Sequence, residues 1–203
     1  MEALLAFAAA LVALRLAGGL VSRWRARRRP ELGAWAASLG AYAVASAALA
    51  WGAAWGWSEA SFRAYYLAGG LLTAPLLGLG SLLLRGVRAA LPAALVYCGL
   101  AVGIAIAEPV SAVSGKTIPD ASEHLDFFPA RFLAIVGNSV GTIAVVGVAL
   151  ATIGRRPIGN SLILAGVAVA AVGTALLGLG EAQTAVSIAL AAALLYAGFI
   201  LNK

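Results

Sequence analysis

Cysteine, histidine and lysine, which carry much of the redox, metal and Schiff-base chemistry of proteins, are nearly missing from these 203 residues. Cys98 is the only cysteine. A lone thiol forms neither an intramolecular disulfide nor a CxxC pair, which excludes a quinone-linked thiol oxidoreductase. The one histidine, His124, cannot supply both axial ligands of a membrane haem or the ligand set of an intramembrane zinc hydrolase. Lys116 and Lys203 both stand outside the apolar runs, which excludes a retinal Schiff base in the last span. No cofactor is expected. Charge is also scarce, at 11% of residues, whereas 63% are hydrophobic and the mean hydropathy is +0.98. That composition belongs to an integral membrane protein, with no length left over for a soluble domain.

Charged residues and Gly/Pro clusters divide the chain into seven apolar segments, each near the roughly 20 residues that cross a bilayer as a helix. They are Ala3 to Val21, Leu32 to Trp55, Phe62 to Leu84, Ala89 to Ala107, Ala130 to Ile153, Ile158 to Leu177 and Ala182 to Leu201. The runs are continuous, without the alternation of barrel strands, so the expected fold is an all-α bundle of seven transmembrane helices. In the first segment positive charge follows the apolar stretch and no small-residue cleavage site is evident, which favours a retained span over a signal peptide.

The basic residues set an expected orientation, N-terminus out and C-terminus in. Arg23, Arg25, Arg27, Arg28, Arg29, Arg85, Arg88, Arg155, Arg156 and Lys203 then face the cytoplasm, with Arg15 snorkelling towards them. The acids Glu2, Glu59, Glu108, Asp120, Glu123, Asp126 and Glu181 fall outside. The net charge of +6 is thereby a topogenic signal and a contact with anionic lipid headgroups, not a nucleic-acid site. Trp51, Trp55 and Trp57, with Tyr65 and Tyr66, read as an outer aromatic belt, and Trp24 and Trp35 as an inner one. The localisation expected is the cell membrane, multi-pass.

Two segments of the chain are alike. Arg28-Arg29-Pro30 precedes the second span and Arg155-Arg156-Pro157 the sixth, each Pro at a helix start where its missing N–H costs nothing. Trp57-Ser58-Glu59-Ala60 and Leu179-Gly180-Glu181-Ala182 match at the outer turns. The expected organisation is a parallel three-plus-one-plus-three repeat: residues 1–88 a first three-helix bundle, 89–128 a linker helix and outer loop, 129–203 a second bundle. That plan resembles the SWEET sugar transporters in architecture, although the Pro-Gln pair of their PQ-loop relatives occurs nowhere in the chain. The run Phe62-Arg63-Ala64-Tyr65-Tyr66-Leu67-Ala68-Gly69-Gly70-Leu71-Leu72, the segment Gly137-Asn138-Ser139-Val140-Gly141-Thr142 and the ending Tyr196-Ala197-Gly198-Phe199 are similar to uncharacterised seven-span membrane proteins of actinobacteria. That resemblance implies a fold and no activity.

Polar groups inside spans are the candidate functional residues. Asn138, Ser139 and Thr142 share part of one face of the fifth span, either as a substrate-facing patch or as packing around the Gly137-x-x-x-Gly141 spacing. Pro75, near Gly78 and Gly80, marks a hinge in the third span, and Pro92 is read as a second mid-span kink. Tyr66 and Glu108 complete the candidate substrate-binding set, Glu108 as a cation or proton site. Glu181 reads as a first-turn acid of the last span, and Asn160 and Ser161 as interfacial. In the outer loop Asp120, Glu123, His124 and Asp126 are weak metal candidates. These residues lead to two readings. One is a small-solute or ion transporter with a midplane site between the bundles. The other is a non-transporting membrane module: an accessory subunit, assembly factor or lipid-binding sensor that acts with a partner subunit or as a homo-oligomer. An intramembrane enzyme is disfavoured, because no nucleophile and base fall at a shared depth.

Overall fold

A computed structural model describes residues 2–155, 157–175, 190–191, 193–194 and 196–198. Its regular elements are all helical among the described residues. Pro30 opens the second helix at the first helical position, as its fixed φ and absent N–H favour. It follows α1 (Glu2–Arg27) after only Arg28 and Arg29, so α1 and α2 (Pro30–Trp55) form an antiparallel hairpin. A link this short forces Arg28 into the left-handed region at φ 53°, which costs a non-glycine residue about 1 kcal/mol.

Ser58 then starts the third span with a reciprocal capping box to Ser61, leading into α3 (Glu59–Tyr65). The chain continues without a gap as a π-helical stretch, Tyr66–Leu72, and α4 (Thr73–Leu84). After a turn at Gly86 come α5 (Ala90–Ala107), the short α6 (Ala121–His124), and a bend at Phe127–Arg131 containing a cis Phe128–Pro129 bond. Then follow α7 (Phe132–Thr152) and α8 (Pro157–Ala175). Among the described residues five stretches are long and apolar enough to cross a membrane: Ala3–Arg27, Pro30–Trp55, Glu59–Leu84, Ala90–Ala107 and Phe127–Thr152. They coincide with the first five expected spans, and α8 falls on the sixth. The seventh, with Glu181 and Lys203, lies almost wholly outside the described residues, as does Arg156.

In the packing, α1 lies along α2, α2 and α7 flank α4, and α8 follows α7. One core, at the α1–α2 turn end, joins Leu20, Trp35, Leu39, Leu77, Val145 and Ile163. A second, at the opposite end, joins Ala6, Leu49, Trp57, Phe62, Leu125 and Ala130, and smaller clusters form around Leu79 and Leu71.

Two tryptophans depart from the expected belts. Trp51 and Trp55 are exposed, as belt residues should be, but Trp57 is 5% exposed and Trp35 only 2%. Each indole occupies a notch left by a glycine. A Cβ at Gly80 would lie 2.2 Å from the Trp35 ring, and one at Gly52 would lie 2.4 Å from the Trp57 ring. Pro92 is the third residue of α5, in the first turn, where no helical hydrogen bond is lost; it kinks nothing mid-span. Asn160, near the start of α8, is buried against the protein, and its amide donates to the Thr152 hydroxyl at 2.9 Å, tying α8 to the end of α7.

Candidate functional site

The break in the third span organises the interior. Proline has no N–H, so the amide bond that residue 75 would make is absent. In α register its acceptor would be the carbonyl of Leu71; in the π register of the preceding turn it would be Gly70. In hydrocarbon an unsatisfied carbonyl costs several kcal/mol. Both acceptors receive side-chain donors from other helices. The Tyr97 hydroxyl on α5 donates to the Leu71 carbonyl at 2.8 Å, and the Asn138 amide on α7 donates to the Gly70 carbonyl at 3.0 Å. A third donor comes from α2, where the buried Ser38 hydroxyl bonds the Thr73 carbonyl at 2.7 Å. Thr73 itself turns both its N–H and its hydroxyl to the carbonyl of Ala68.

These donors reach the break because glycines let the helices close on it. Gly137 leaves the space that the Tyr97 hydroxyl fills, since a Cβ there would be 2.0 Å from that oxygen. At Gly141 a Cβ would meet the Ala74 carbonyl oxygen at 2.4 Å, and at Gly78 it would meet the Gly141 backbone at 2.7 Å. The two glycines of the Gly137-x-x-x-Gly141 spacing therefore serve different neighbours, Gly141 a backbone-to-backbone contact between α7 and α4 and Gly137 the Tyr97 side chain of α5. Gly78 and Gly80, expected beside a hinge, are contact notches.

The expected polar patch on α7 is divided. Asn138 points inward to Gly70, whereas Ser139 and Thr142 are exposed on the outer surface of the helix. Pro75 lies at the α4–α7 crossing, its nitrogen 2.8 Å from where a Cβ on Gly141 would stand.

Tyr66 and Glu108 do come together, at the end of the bundle opposite the α1–α2 turn. They line a cavity of about 10 Å³ with Phe62, Arg63, Leu71 and Ile104, space for about one water molecule. Glu108 follows the last residue of α5 and is buried. Burial first, and the nearby Asp126 second, raise its carboxyl above the ordinary range, while Arg63 pulls it back. Arg63 donates to the Ala105 carbonyl at 2.6 Å and pairs with Glu59, placing a cation at the C-terminal end of α5. The loop folds over this end through a Trp57 N–H bond to the Gly115 carbonyl at 2.8 Å. The weak metal candidates take separate roles. Asp120 caps α6 by accepting from the Ser122 N–H, which lowers its pKa, and His124 stands edge-on to Phe62. Among the described residues no three acidic, histidine or cysteine side chains are gathered as a metal site.

Tyr97, Ser38 and Arg63 escaped the sequence reading. Pro75 held the signal for the first: a mid-span proline requires donors at its own depth, and Tyr97 and Asn138 are such groups. Compared with protein families, curated proteins and solved structures, the chain matches none.

Proposed function

We propose that this chain is a non-transporting, non-catalytic membrane module, an accessory or assembly subunit built as a closed helical bundle of the cell membrane. The observation that carries the proposal is the closure around Pro75. The polar groups that a midplane site would offer to a solute are spent on the Gly70 and Leu71 carbonyls, and α4 and α7 touch through Gly78 and Gly141. The seven-span, N-terminus-out arrangement with a three-one-three repeat remains part of this reading, supported by the five long apolar helices and by the proline-initiated α2 and α8. Mild detergent extraction followed by size exclusion and mass spectrometry tests it. A stoichiometric partner subunit or a defined homo-oligomer is expected, and a bare monomer that moves a solute in proteoliposomes defeats the proposal.

One observation favours the transport reading. The third span changes from α to π register at Tyr66–Leu72, beside a buried carboxyl, Glu108, and a water-sized cavity, and irregular helix at a polar cavity is an arrangement used for ions. Glu108-dependent proton or cation flux in the same proteoliposomes would select it.

A further inference from the structure

The end of the bundle that carries the α1–α2, α4–α5 and α7–α8 turns is a single arginine surface. Ala34, Leu79, Leu83 and Ala90 pack together and bring the first two turns side by side. Leu20, Trp35, Val145, Ala149 and Ile163 bring the third to the same end. Arg25, Arg27, Arg28, Arg85, Arg88 and Arg155 are exposed there, and none makes an ion pair among the described residues. The one acid at this end among the described residues, Glu31, is buried and bonded by Arg29 at 2.6 Å, so it leaves the other described arginines unneutralised.

We propose that this surface binds the phosphodiester headgroups of anionic phospholipids selectively, beyond the diffuse attraction any cation would exert. Two observations carry the selectivity. Every basic residue described at this end is arginine, whose planar fork engages two phosphate oxygens at once, where lysine offers only a point charge. Arg28 also occupies a left-handed backbone position, φ 53°, that glycine would take without strain, so the turn keeps a guanidinium at its tip against its own conformational preference. Trp24, partly exposed, packs against Gly33 beside the same turn, an interfacial ring level with the headgroups. The bilayer leaflet is the expected source of the phosphate because the turns are only a few residues from apolar helix ends. The inference stands independently of the module reading.

The full chain is reconstituted in vesicles of equal parts phosphatidylcholine and phosphatidylglycerol, extracted in mild detergent, and its retained lipid is measured by native mass spectrometry. Phosphatidylglycerol is expected to be enriched more than tenfold, above the roughly tenfold that diffuse attraction by one or two surface cations of either kind supplies. Replacing Arg25, Arg27 and Arg28 together by Gln should lower the enrichment by about tenfold or more, and replacing them by Lys, which preserves the charge needed for insertion, should bring it down to the diffuse level. The control Arg63→Gln, at the other end, should leave it unchanged. Equal retention of both lipids by the wild type, full enrichment in the Lys variant, or complete displacement by soluble pyrophosphate would overturn the proposal.

Discussion

Asn138 and Gly70, 68 residues apart in sequence, meet at 3.0 Å, the amide of one donating to a carbonyl of the turn that precedes the proline at 75, where a backbone donor is missing. With the Tyr97 hydroxyl on Leu71, this makes α5 and α7 the clamps of a break in the third span. The clamp explains why polar side chains stand inside an otherwise apolar bundle: they complete a helix.

That relationship predicts a specific coupling. Tyr97→Phe should destabilise the chain by about 1 kcal/mol in equilibrium unfolding from mixed micelles, and Asn138→Leu by a similar amount. In a Pro75→Ala background the backbone regains one N–H, enough for one of these two carbonyls, so one of the two penalties should shrink towards zero and the other should persist. Ser139→Ala and Thr142→Val, on the exposed side of α7, should each change stability by less than about 0.5 kcal/mol.

The glycines divide by what faces them. Gly141→Ala or Gly78→Ala drives a methyl into backbone that cannot yield as a side chain does, and should cost about 1–3 kcal/mol or more. Gly147→Ala and Gly99→Ala, with open space around their Cβ positions, should be neutral or stabilising by up to about 1 kcal/mol. Thermal unfolding of the four variants in one detergent decides this.

Much of this was legible in the sequence and some was not, for a physical reason that the residues make plain. Continuous apolar runs and the prolines at 30 and 157 located the helices, because bilayer thickness and proline sterics act locally. Span three began three residues earlier than expected because Ser58 caps it. The burial of Trp35 and Trp57 was hidden, since a tryptophan near a span end belongs to a belt unless a glycine on another turn makes room for it. Gly80 and Gly52 do so only once the chain has folded. Asn138 was singled out as polar, but its partner was a main-chain carbonyl, and backbone acceptors carry no residue-type signature.

Glu108 yields a pH prediction. Its folded-state pKa is raised, so the folded chain holds that proton more tightly than the unfolded chain. Deprotonation therefore opposes folding: stability should fall as pH rises from about 4.5, the ordinary carboxyl value, through the raised one. Glu108→Gln removes this dependence. The variant should be more stable than the wild type at neutral pH, with the difference vanishing in acid, and melting curves across pH measure it.

The central claim is that the bundle is closed and dry around the third-span break. Single cysteines at Ala101 and Val145, which are 0% and 2% exposed, test it most directly in a chain whose Cys98 is replaced by serine. In membranes, a small water-soluble maleimide applied from either side should leave both unlabelled until the chain is unfolded. Rapid labelling of either cysteine in the folded protein would contradict the account and restore an aqueous path through the bundle.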